Sequence, residues 1–142
     1  MDAPVAALIT ESGTLDVGVS LVGGEVGNEA VHTAFTLRPA RLADTYRATA
    51  CVAVPDDIAT SSSAQVAYQM AIDDAITLCQ IVALGDLAEI PSPRQLTELL
   101  DPDDMGILRA AADRLKKKSR ELKSASSPSA SPSAPSSAPV SA

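Results

Sequence analysis

The sequence has few aromatic side chains: it contains no tryptophan, one phenylalanine (Phe35) and two tyrosines (Tyr46 and Tyr68). A core built without them must be packed by alanine, valine, leucine and isoleucine. Such a core gains little buried volume per contact. We therefore expect modest stability, or stabilisation by a partner.

Histidine and cysteine are also scarce, which limits the chemistry of the chain. The one histidine, His32, has no cysteine or histidine at ligand spacing, whereas zinc takes three or four nitrogen or sulfur ligands. Cys51 and Cys79 lack the Cys-X-X-Cys spacing of a redox pair. One pair of cysteines also does not make a disulfide scaffold. We expect no metal site and no cofactor.

Acidic residues occur in adjacent pairs at positions 56–57 and 73–74. Neighbours on a helix point about 100° apart, so Asp73 and Asp74 do not converge on one substrate. Catalysis by two carboxylates needs groups that face each other across a gap. The serines at positions 61–63 have no oriented base beside them. We therefore expect no catalytic residues and a protein that is not an enzyme.

Charge is distributed unevenly along the chain. The net charge is −7, with 14 acids and 4 bases in residues 1–101 against 4 acids and 7 bases in residues 102–142. The acidic part should repel nucleic acid and anionic membranes. The longest apolar region, residues 75–84, is too short to span a bilayer, and the first residues lack the features of an export signal. We expect neither nucleic acid nor a membrane as partner, and surface ion pairs for Arg38, Arg41 and Arg47.

Hydrophobic periodicity predicts strands first and helices afterwards. Residues 1–13 are interpreted as a flexible leader. Alternation from Leu15 to Leu21 predicts a strand, and a second extended run from Val31 to Arg38 completes a β-hairpin. Helical spacing then predicts helices over residues 40–53, 64–84, 94–100 and 102–123. Either Ser62 or Ser63 is expected to cap the second helix, which Gly85 should end.

The last helix has the clearest ends. Asp101 is a suitable N-cap and Pro102 a suitable first residue, while Asp103 and Asp104 lie at the positive end of the helix dipole. Residues 124–142 contain only serine, alanine, proline and one valine, a composition typical of disorder. The predicted class is therefore α+β: an N-terminal β-hairpin, a small bundle of three to four helices and a disordered C-terminal tail.

Two segments carry a resemblance to a known family. In the first, the second strand runs through Phe35-Thr-Leu-Arg38-Pro39 into a helix with an early acid, Asp44. In the second, Leu96-Thr-Glu-Leu-Leu leads into Asp101-Pro-Asp-Asp-Met-Gly-Ile-Leu108 and a helix that closes with lysines. Over about residues 14–123 the chain resembles the tail assembly chaperones of contractile-tailed bacteriophages, in particular the Mu-like tail assembly protein family.

The resemblance implies a non-enzymatic chaperone, acting in virion morphogenesis in the cytoplasm of the bacterial host. Such a protein binds and solubilises the tape-measure protein during tail-tube assembly. The tail tube protein is a second candidate partner, and a homo-oligomer stays open. The alternative is a structural tail or baseplate component of a phage or phage-like particle.

A partner surface is expected where apolar residues recur at helical spacing. The candidate residues on the second and last predicted helices are Met70, Ile76, Leu108, Leu115 and Leu122. Stripes of this kind usually form the core of the domain instead, and that alternative stays open.

Overall fold

The computed structural model describes residues 9–20 and 30–125. The strands are β1 (Glu11–Ser20), β2 (Val31–Leu37) and β3 (Ile81–Leu84). The helices are α1 (Leu42–Cys51), α2 (Ser62–Cys79), α3 (Pro93–Leu99) and α4 (Pro102–Ala125). The predicted α+β class, with a hairpin followed by a helical bundle, is confirmed.

The sheet has a third strand that the sequence analysis assigned to a helix. The prediction of one helix over residues 64–84 is wrong, because α2 ends at Cys79 and Ile81–Leu84 pairs antiparallel with β2. Four apolar residues fit a helix and a buried strand equally well. Residues 81–84 form a strand because β2 has a second edge that β1 does not occupy. Pairing at that edge gives the sheet the order β1-β2-β3. Gly85 follows β3 in the left-handed region, with a φ of 55°.

The strand β1 begins earlier than predicted. Glu11 lies opposite Leu37 and Gly13 opposite Phe35, so residues 11–13 belong to the sheet and not to a leader. A Cβ at Gly13 would lie 2.7 Å from the Phe35 ring, which leaves room only for glycine at this position. The first eight residues of the predicted leader and the glycines of the predicted hairpin turn lie outside the described residues.

Helix boundaries agree with the remaining predictions to within a few residues. The backbone N–H of Asp103 donates to the Asp101 carboxylate at 2.9 Å, which confirms the predicted N-cap of α4. Ser61, and not Ser62 or Ser63, caps α2, because its hydroxyl accepts from the Ala64 N–H at 3.2 Å. Since α4 continues to Ala125, the first two residues of the predicted tail are helical. Residues 126–142 lie outside the described residues.

Two apolar clusters hold the elements together. The larger lies between the sheet, the end of α2, α3 and α4, and its most fully buried large side chains are Phe35, Leu37, Leu84, Leu96, Leu108 and Leu115. The smaller lies between α1 and α2 and is centred on Ala48, Ile72 and Ala75. Val52, Tyr68 and Ile76 pack against this cluster and are partly buried.

A buried carboxylate fixes α4 to the sheet. Asp104 has no exposed surface, and its Oδ1 and Oδ2 accept hydrogen bonds from the backbone N–H groups of Asp16, Val17 and Gly18 at 2.8–3.2 Å. These donors lie in β1 where its pairing with β2 is irregular. The sequence analysis predicted only that Asp104 complements the helix dipole. Its contact with β1 was missed, because spacing within a segment does not reveal a contact between residues more than 80 positions apart.

Replacing Asp104 with asparagine should destabilise the fold. The amide keeps the size of the side chain, but one carboxylate oxygen becomes an N–H₂ group that faces buried N–H donors. We expect the free energy of unfolding to fall by about 2 kcal/mol or more, measured by urea denaturation. Asp103→Asn, at the neighbouring exposed position, removes the same charge and should cost less than about 1 kcal/mol. Equal losses in the two variants would contradict the assignment.

Candidate partner-binding groove

An open groove of about 1010 Å³ runs between α2, α4 and the segment 38–41 that joins β2 to α1. The α2 wall presents Met70, Asp73, Ile76, Thr77 and Gln80, and the α4 wall presents Arg109, Ala112, Lys116, Ser119 and Lys123. Apolar and charged groups therefore share the same surface. This groove lies between elements that are far apart in the sequence.

Buried polar contacts hold the short connecting segment against α2. The guanidinium of Arg38 donates to both oxygens of the Asp44 carboxylate at 2.8 Å and to the Cys79 carbonyl at 3.0 Å. In return, the side-chain amide of Gln80 donates to the Arg38 carbonyl at 2.9 Å. The end of α2 and the start of α1 are thereby fixed on either side of residues 38–41.

The Arg38–Asp44 pair is not the surface ion pair that the sequence analysis predicted. The Asp44 side chain is fully buried and that of Arg38 is 14% exposed. Arg47 adds a weaker contact to Asp44 at 3.3 Å. The Arg41 side chain forms no ion pair among the described residues, although its backbone N–H donates to Asp44 at 2.8 Å. The three arginines therefore differ in role, which their proximity in sequence does not reveal.

The pKa of Asp44 reflects two opposing effects. Burial raises it, because a charged carboxylate loses its hydration. Hydrogen bonds from the Arg38 guanidinium and the Arg41 backbone N–H lower it by more, so the pKa lies below its ordinary value of 3.8. The carboxylate thus stays ionised at neutral pH.

A second ion pair bridges the groove walls. Arg109 on α4 donates to both oxygens of Asp74 on α2, at 2.8 and 2.7 Å. Both side chains also line a second cavity of about 650 Å³, which includes Ala71, Ala75 and Met105. The Asp74–Arg109 pair thus lies between the groove and this second cavity.

The five predicted partner-binding residues do not share one surface. Met70 is 56% exposed and, together with the half-buried Ile76, lines the groove. Leu108 is fully buried, and Leu115 is 1% exposed at the groove floor. Leu122 is half-buried and does not line the groove.

Leu108 and Leu115 are therefore core residues, and their assignment to a partner surface is corrected. The face of α4 that carries them packs against the sheet, where the Asp104 contact holds it. Ala112, Lys116 and Ser119, which were not among the predicted partner-binding residues, line the groove instead. Their spacing of four and three residues places them on one face of α4. Nothing in the sequence, however, showed which face of α4 meets the sheet.

The other candidate chemical groups have local contacts. His32 accepts a hydrogen bond at Nδ1 from the Asp86 backbone N–H at 3.3 Å. Within residues 9–20 and 30–125, no cluster of three or more histidine, cysteine, aspartate or glutamate side chains is arranged to bind a metal ion. None of the helices in that part of the chain combines the length and apolarity needed to cross a membrane.

Comparisons with protein-family models, with curated proteins and with solved structures find no match for this chain. The geometry of the groove and the sequence resemblance are therefore the available grounds for a function.

Acid should weaken the contact that shapes the groove. Because the pKa of Asp44 is lowered in the folded protein, the stability from its ionised form is fully present above pH 3.8 and is lost as the pH falls through the folded value. Asp44→Asn should lower stability at neutral pH by about 3 kcal/mol and flatten the acid side of the profile, measured by urea denaturation between pH 2 and 7.

Glu98→Gln, at an exposed position on α3, provides the control and should retain the profile of the unmodified chain. An Asp44→Asn variant with unchanged stability and unchanged acid sensitivity would show that the pair does not support the groove.

Proposed function

We propose that this chain is a phage tail assembly chaperone that holds an apolar helical segment of the tape-measure protein in the groove between α2 and α4. It acts in the cytoplasm of the bacterial host by binding alone, without catalysis. The observation that carries the proposal is an open groove with an exposed Met70 at its wall and apolar side chains along it. The family resemblance supplies the identity of the partner.

Methionine suits a groove that must accept different apolar surfaces. Its side chain is unbranched and polarizable, so it adapts to the shape of its neighbours. Met70 is 56% exposed, so burying the rest of its surface against a partner is favourable by about 1–2 kcal/mol. Ile76 and Ala112 extend the same apolar surface along both walls. A partner helix that would aggregate in water would lose part of its exposed apolar area in this groove.

The charge of the chain supports the same role. A long apolar segment bound by a neutral protein would form a complex prone to association, whereas a net charge of −7 favours solubility. Acids such as Asp73 and Asp113 line the groove beside its apolar side chains. The protein can then present apolar surface locally while the complex as a whole stays dispersed.

Co-expression with the tape-measure protein of the same phage tests the proposal. The unmodified chain should raise the soluble fraction of the tape-measure protein, measured after centrifugation of the lysate. Met70→Asp places a charge in the groove and should reduce that fraction at least fivefold, since a carboxylate is costly to bury against an apolar helix.

Val66→Asp provides a matched control. Val66 is 60% exposed one helical turn before Met70 and does not line the groove, so this variant should solubilise the tape-measure protein like the unmodified chain. Equal loss in both variants, or no solubilisation by the unmodified chain, would contradict the proposal. Stoichiometric recovery of the chain in purified particles would favour the structural tail component instead.

A further inference from the structure

We infer that the groove selects an amphipathic α-helix whose apolar residues recur at three- and four-residue spacing and whose acidic end lies against Arg41 and Lys116. This inference rests on the proposed function, in which the groove is the partner site. It adds the conformation and the charge distribution of the bound segment.

The walls have the spacing of helices that pack against a further helix. The groove is lined by positions 70, 73, 74, 76 and 77 of α2 with Gln80 at its C-cap, and by positions 109, 112, 113, 115, 116, 119 and 123 of α4. Within these sets run the series 70-73-77-80 and 109-112-116-119-123. Both series alternate steps of three and four residues, the pattern of a helix–helix seam. An occupant with the same spacing can interdigitate with both walls at once.

The size of the groove agrees with a helix of a few turns. At 1.5 Å per residue, the lining residues of α4 from Arg109 to Lys123 span about 21 Å, and positions 70–80 span about 15 Å. Those lengths are about three to four helical turns. The groove therefore holds a short segment of a longer partner helix, which continues beyond its ends.

The two ends of the groove differ in charge. Glu11 lies opposite Leu37 in the sheet and pairs with Arg114 at 2.8 Å and Lys118 at 2.7 Å, which brings this part of α4 to the end of β2. Lys116 and Arg41 therefore lie at the same end of the groove. Asp73 and the Asp74–Arg109 pair lie towards the other end, about two helical turns before Lys116 along α4, with Asp113 between them.

The basic side chains in the groove and the acidic net charge of the whole chain favour ligands of opposite charge. Arg38 and Arg109 also line the groove, but each is engaged with its own carboxylate. Lys116 and Arg41 have no acidic partner among the described residues and can pair with acids of a bound helix. The net charge of −7 would by itself favour a basic peptide. A preference for an acidic helix would therefore identify binding in this groove.

The test uses two synthetic helical peptides of about 18 residues with the same leucine stripe. In one, the polar positions at one end are glutamate, and in the other they are lysine. Fluorescence anisotropy with the full-length protein at low salt should show about tenfold tighter binding of the glutamate peptide. Equal binding, or tighter binding of the lysine peptide, would overturn the inference.

Charge reversal on α4 locates the contact. Lys116→Glu should weaken binding of the glutamate peptide about fivefold. Lys117→Glu makes the same change at the adjacent exposed residue, which does not line the groove, and should change binding less than about twofold. Equal weakening by both variants would indicate long-range repulsion only and would overturn the assignment.

The peptide test and the co-expression test can give different results, and each combination distinguishes the inferred ligand chemistry from the proposed partner. Solubilisation of the tape-measure protein without binding of the glutamate peptide would overturn the inferred ligand chemistry and leave the proposed function standing. Binding of the glutamate peptide, sensitive to Lys116→Glu, without any effect on the tape-measure protein would support the groove chemistry and contradict the proposed partner.

Discussion

The position of α4 depends on one buried carboxylate. The Asp104 carboxylate accepts hydrogen bonds from the backbone N–H groups of residues 16–18, at a place where β1 departs from regular pairing. Unpaired N–H groups in a buried site are costly, so the sheet and the first turn of α4 stabilise each other. Gly18, with a φ of 89°, adopts the backbone conformation that brings its N–H to the carboxylate.

This contact also determines which face of α4 lines the groove. With its first turn fixed on β1, α4 packs Leu108 and Leu115 against the sheet and directs Ala112, Lys116 and Ser119 towards α2. The Arg38–Asp44 pair fixes the third wall in the same way. Two buried carboxylates, distant in sequence, therefore shape the groove, together with the lining residues Arg38 and Gln80 and the Asp74–Arg109 pair.

The sequence analysis was most reliable where short-range signals determine structure. The cap at Asp101, the run of β2 into Arg38-Pro39 and the amphipathic spacing of α4 each depend on neighbouring residues, and the elements they predict are present. Errors arose where distant contacts decide. Residues 81–84 became a strand because β2 offered a free edge, and Leu115 became a core residue because Asp104 sets the rotation of α4. Helical spacing alone cannot distinguish a core stripe from a binding stripe.

Photo-crosslinking from the groove is the most direct test that the tape-measure protein occupies it. A photoreactive amino acid at Ser119, which lines the groove, is compared with the same amino acid at Arg120, the next residue, which does not. Both positions lie on α4 and differ mainly in the direction they face. After co-expression and irradiation, the tape-measure protein is expected to be crosslinked from position 119 and not from position 120. Equal crosslinking from both positions, or none from position 119, would contradict binding in the groove.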